Sequence, residues 1–132
     1  MEPRNMALLG AAVGTSFGLV GLIVPGSLAT LFGIQLDATA TALVRLACAS
    51  YVAVGAMNWA ARDLTDEAAW RVIVVGNATG WAIGGVVMAS ALASGLGNAT
   101  AWSIVALQVV ATIAWVSVSA RSSRSAAATR SA

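Results

Sequence analysis

The chain has 132 residues, of which 59% are hydrophobic and only 9% charged, with no histidine and a single cysteine. A soluble domain carries about a quarter charged residues, so this composition excludes a soluble enzyme and a disordered protein. The pI of about 9.5 reflects a net charge of only +2, with no dense basic patch, and a nucleic-acid partner is not indicated. One cysteine cannot form an intrachain disulfide.

A helix crosses roughly 30 Å of hydrocarbon with about 20 apolar residues. Asn5 to Leu36 contains no charge. Its apolar core, Met6 to Val24, is followed by Pro25-Gly26 and an apolar tail, and predicts a first helix over residues 6–31. A second is predicted over residues 39–61, interrupted by Arg45 and ended by Arg62-Asp63. The polar connection Asp63 to Glu67 supplies Thr65 or Asp66 as an N-cap for the third helix. Glu67 precedes Arg71 by four residues, the favourable order for a helical ion pair. Val72 to Ala120 is again free of charge but too long for one crossing. The turn-forming stretch Ser94 to Thr100 divides it into helices over 67–93 and 99–120. Residues 121–132 read as a disordered polar tail of Arg, Ser and Ala. The expected fold class is therefore an all-α membrane protein, a single four-transmembrane-helix antiparallel bundle over residues 1–120.

Arginine sets the orientation. Arg4, Arg62, Arg71, Arg121, Arg124 and Arg130 fall on one side and only Arg45 toward the other, so both termini are expected to be cytoplasmic, in a bacterial inner membrane. Trp59, Trp70 and Trp115 near the inner ends and Trp102 near the outer end read as an aromatic belt, with Trp81 off it. A signal peptide over Met1 to Ala29 is a competing reading, since Ser27-Leu28-Ala29 resembles a cleavage site. The length of the apolar stretch favours a retained span.

Association of helices in lipid rests on close packing at small residues and on interhelical hydrogen bonds. Gly10, Gly14 and Gly18 form one row in the first helix, and Gly76, Gly80 and Gly84 another in the third. Ala47, Tyr51 and Gly55 form a row in the second. These glycine zippers are expected to pack the first helix against the third, or to face a second copy or another membrane protein. Thr15, Ser16, Ser50, Tyr51, Asn77 and Gln108 all count to a depth of about 14–18 Å. They form either an interhelical hydrogen-bond layer or a small midplane pocket. The pocket residues would be Arg45, Tyr51, Asn77, Trp81 and Gln108, and the ligand lipid-like or a small anion. Arg45 either snorkels outward and pairs with Asp37 or turns inward to attract the anion.

No catalytic constellation is legible. Histidine is absent, Cys48 stands alone in an apolar helix, and Asp63, Asp66 and Glu67 are explained by capping and pairing. No metal site or cofactor is expected. The expectation is a non-enzymatic membrane protein, an accessory or scaffold subunit or small homo-oligomer, with a small-ligand carrier as the alternative.

The stretch from Leu43 through Arg45, Gly55 and Asn58-Trp59 to Arg62, with Leu31 to Asp37 before it and Gly76-Asn77 after, resembles a pattern in small bacterial four-span membrane proteins of unknown role. In layout the chain is similar to the DoxX-like four-helix proteins and to the sterol-synthesis scaffold family. The latter resemblance implies assembly of other membrane proteins rather than chemistry, and neither supplies a catalytic residue.

Overall fold

A computed structural model describes the backbone of residues 2–130 and the side chains of residues 2–118. The described chain is all-helical: α1 (Pro3–Ile23), α2 (Pro25–Leu31), α3 (Ala38–Ala60), α4 (Glu67–Ala93) and α5 (Trp102–Arg130), with short 3-10 turns at Ala61–Asp63 and Ala99–Ala101. Four segments are long and apolar enough to cross a membrane: Pro3–Ile23, Ala38–Asp63, Glu67–Ala93 and Ala99–Val118. Large apolar side chains cover the outside, Val72 and Val86 being 70% and 71% exposed. Such a surface suits lipid rather than water.

The first predicted helix is two helices. Pro25 has no N–H and disfavours helical backbone at the residue before it. Val24 accordingly leaves the helical region at φ −128°, ψ 55°, so α1 stops at Ile23 and α2 begins at Pro25. The ends of α2 and α4 close in the same way. Gly33 (φ +73°) donates to the Thr30 carbonyl, and Ile34 to that of Ala29, at 2.9 Å each. Gly95 (φ +87°) donates to Leu92 at 3.0 Å, and Leu96 to Ala91 at 3.1 Å. This double bond pattern satisfies the last carbonyls of a helix and needs a left-handed residue, which glycine supplies. Asn98 then ties the two closures together: its backbone N–H donates to Phe32 at 2.9 Å and its side chain to the Leu31 carbonyl at 3.2 Å.

Asp37 caps α3 by accepting from the Ala40 N–H, and Asp66 caps α4 by accepting from that of Ala69, both at 2.7 Å. Glu67 and Arg71 approach to 3.9 Å, as their spacing predicts. The backbone of α5 is helical as far as Arg130, past the residue 120 boundary expected from composition. Alanine and arginine are strong helix formers, and Ala126 to Ala128 lie in this stretch.

The close pairings are α1 with α3 and α4 with α5. A Cβ on Gly14 would lie 3.1 Å from the Tyr51 carbonyl and 3.3 Å from Gly55, and one on Gly18 would lie 2.7 Å from the Cys48 carbonyl. The first glycine row therefore packs against the second span, not the third as expected. The reason is reciprocal: Gly55 is itself bare, and a Cβ there would meet Thr15 and the Ala11 carbonyl, so the two backbones can touch.

Met6, Ala7, Ala61, Trp70, Val74, Trp115 and Val118 form one buried cluster toward the end that carries the α3–α4 connection. Trp70 and Trp115, read from sequence as belt residues, turn inward instead, 6% and 1% exposed, with ring centroids 6.0 Å apart. Their area is spent on joining α4 to α5. Trp59 and Trp102 do remain exposed.

Candidate ligand cavity between the helix pairs

The second glycine row packs only at Gly84, where a Cβ would lie 3.1 Å from the Gln108 amide nitrogen. A Cβ on Gly76 or Gly80 would meet nothing within 4 Å. Both glycines open on a cavity of about 200 Å³, walled by Gly10 and Gly14 of α1, Ala47, Ser50, Tyr51 and Val54 of α3, and Asn77 and Trp81 of α4. The missing side chains create the space: α4 lies beside the α1–α3 pair without filling the groove between them. Ala47, Ser50, Val54, Gly76 and Gly80 are exposed, so the cavity opens sideways, along the middle of the helices.

At one end of the cavity stands Asn77. Its amide donates to Asn58 at 2.9 Å and to the Ile73 carbonyl of its own helix, also at 2.9 Å, and its oxygen accepts from Asn58 at 3.0 Å. Asn58 is 0% and Asn77 3% exposed. Gly10 admits this pair, because a Cβ there would stand 2.8 Å from the Asn58 amide nitrogen and 3.0 Å from the Trp115 ring.

At the other end Tyr51 and Trp81 face each other at 6.4 Å between centroids, with Phe17 edge-on to Tyr51 at 5.4 Å. The Tyr51 hydroxyl has Gln108 beside it. Gln108 lies on the bare Gly84–Gly85 face of α4 and is 5% exposed. Its Oε1 is buried without a hydrogen-bond partner. Ser50 spends its hydroxyl proton on the Leu46 carbonyl at 3.3 Å.

Of the five residues proposed from sequence to bind a ligand, Tyr51, Asn77 and Trp81 line one cavity, and Gln108 stands behind Tyr51. Arg45 does not join them. It is exposed, and its Nε donates to the Leu22 carbonyl at 3.3 Å. The break at Pro25 strips the last carbonyls of α1 of their helical partners, and a cation at a helix C-terminus is favourable. Nor does Arg45 pair with Asp37, whose carboxylate caps α3. Thr15 and Ser16 face a different groove, with Leu8, Ala12 and Trp59. The polar layer expected at one depth thus divides into separate contacts. Among the glycines, Gly10, Gly14, Gly76 and Gly80 border the cavity, while Gly18, Gly55 and Gly84 press on neighbouring helices.

Asn58, the partner of Asn77, was not singled out from the sequence as a polar contact. The signal was present: an amide inside a charge-free span must find a partner, because lipid offers none. At the loop end, Arg62 brackets the Trp59 ring at 4.5 Å, and Asp63 bridges Arg62 and Arg4 at 3.2 Å each. No protein-family model, curated protein or solved structure matches the chain.

Proposed function

We propose that the protein is a non-enzymatic, multi-pass membrane protein, an antiparallel four-span bundle with both ends cytoplasmic, that binds a small lipid-like molecule in the cavity between its helix pairs. One observation carries this reading: Gly76 and Gly80 face open space rather than a neighbouring helix. Glycine inside a helix costs roughly 0.5–1 kcal/mol relative to alanine. Where two glycines a turn apart pack nothing, they keep room. Binding sites within membranes commonly lie near the midplane between helices. A side opening among mid-helix residues lets a ligand arrive from the lipid phase. Trp81 and Tyr51 supply apolar walls, and Asn77, Ser50 and Tyr51 supply a few polar atoms, the usual make-up of a small-molecule site.

The anionic form of the ligand reading is not favoured, because Arg45 is engaged on the Leu22 carbonyl. The assembly reading loses its first glycine row to the α1–α3 contact. It keeps the second, since a helix of another copy could seat on Gly76 and Gly80.

Native mass spectrometry of protein released from nanodiscs of bacterial lipid separates the two. The expected result is one retained small molecule per chain in the wild type and none in Gly80→Leu, with copy number unchanged. A wild type that retains nothing refutes the binding reading. A Gly80→Leu variant that loses a second copy, rather than a small mass, replaces it with assembly.

A further inference from the structure

We infer that the cavity selects a neutral, hydroxyl-headed amphiphile over an anionic or cationic one of the same chain length. The inference rests on the binding reading above and specifies its ligand.

The argument starts from what the lining can still exchange. Ser50 has committed its proton to Leu46, and both amide hydrogens of Asn77 are committed, to Asn58 and to Ile73. Each oxygen keeps a lone pair, so both can only accept. Tyr51 can donate or accept. Gln108 stands behind Tyr51 and is not among the lining residues, so its buried Oε1 does not count toward the cavity. The unused capacity is thus mostly acceptors with one reversible hydroxyl, which suits a group that donates one hydrogen bond and accepts another. An alcohol does both.

Charge decides the rest. Among the described residues, no Arg, Asp or Glu lines the cavity. Arg45 bonds to Leu22, Asp37 and Asp66 cap helices, and Asp63 and Glu67 pair with arginines. An ionised headgroup brought here would lose its hydration with no counter-charge to replace it, which is strongly unfavourable. A carboxylate would in addition face acceptors. The cavity is also small. About 200 Å³ accommodates a headgroup and the first part of a chain, and the remaining chain would pass out through the side opening among Ala47, Val54 and Gly80.

The test uses three probes of equal chain length, dodecanol, dodecanoate and dodecyltrimethylammonium. Each is added to the protein in nanodiscs of zwitterionic lipid and scored by retained mass in native mass spectrometry. Four forms are compared: wild type, Tyr51→Phe, Ser50→Ala and Gly80→Leu. Tyr51→Phe keeps the ring contacts with Phe17 and Trp81 and removes only the hydroxyl, so folding is preserved. The expected result is retention of dodecanol at least tenfold above either ion. In Tyr51→Phe, retention of dodecanol should fall roughly three- to tenfold, the worth of one neutral hydrogen bond. Equal or better retention of dodecanoate or of the ammonium overturns the inference while leaving the cavity in place. Unchanged dodecanol retention in both Tyr51→Phe and Ser50→Ala overturns it as well. Probe retention that survives Gly80→Leu instead refutes the underlying binding reading.

Discussion

Asn58 and Asn77 present their carboxamides to each other and exchange two hydrogen bonds, of 3.0 and 2.9 Å, from α3 to α4. The pair joins the two helix pairs where small residues do not, since α4 touches the α1–α3 pair without a glycine contact. Replacing Asn77 by leucine leaves the Asn58 amide buried and unmatched, and replacing Asn58 leaves Asn77 with only its Ile73 bond, a loss of about 1–3 kcal/mol in either case. Replacing both should recover part of that loss. The coupling energy from a double-mutant cycle of Asn58→Leu and Asn77→Leu, measured by unfolding in mixed micelles, is expected at about 0.6–1.7 kcal/mol. Strict additivity would mean that the two amides do not depend on each other.

The two glycine rows should respond oppositely to the same change. A Cβ on Gly18 meets the Cys48 carbonyl at 2.7 Å and the Val52 nitrogen at 2.9 Å, backbone atoms that cannot swing aside. Gly18→Ala should therefore force α1 and α3 apart and lower stability by about 1–3 kcal/mol. Gly76→Ala meets nothing within 4 Å. It should be neutral or stabilising by about 0.5–1 kcal/mol, since alanine is the better helix residue. Unfolding midpoints of the two variants compare them directly. Equal losses would show that the third-helix row is packed after all.

How far the residues alone could lead is seen in this contrast. Span lengths follow from charge-free runs and a fixed rise per residue, so Ala38–Asp63 and Glu67–Ala93 lie within a few residues of expectation. The cap at Asp66 and the pairing of Glu67 with Arg71 also follow from local spacing. Rotation about the helix axis does not. In water, one apolar stripe marks the buried face. In α3 and α4 both faces are apolar, because one meets lipid and the other protein. Nothing local says that Gly18 meets Cys48 while Gly80 meets space. Depth counting placed Tyr51, Asn77 and Gln108 at one level. It could not tell that Ser16 points to another groove, or that the broken end of α1 draws Arg45 away.

Orientation can be read from two loop positions. Leu64 follows α3 in the connection flanked by Arg62 and Arg71, and Leu96 follows α4 in the loop tied to Phe32 through Asn98; both side chains are exposed. Arginine marks the cytoplasmic side. In intact cells, a membrane-impermeant maleimide should label Leu96→Cys and should reach Leu64→Cys only after permeabilisation. Cys48 is buried and stays silent in both variants. The reverse labelling pattern would invert the orientation.

Arg45 offers a choice between two roles that give different readouts. As the cation on the Leu22 carbonyl, it completes the end of α1 that Pro25 leaves open. Arg45→Gln should then lower stability by roughly 0.3–1 kcal/mol, the usual range for a charge at a helix terminus. Retention of a neutral probe in the cavity should be unchanged, since Arg45 is not among its walls. As the counter-charge of an anionic ligand, its loss would instead abolish retention of dodecanoate and leave the helix end intact. Thermal unfolding and probe retention, measured on the same preparation, separate the roles. A drop in dodecanoate retention without a drop in stability would move Arg45 from the end of the helix to the ligand.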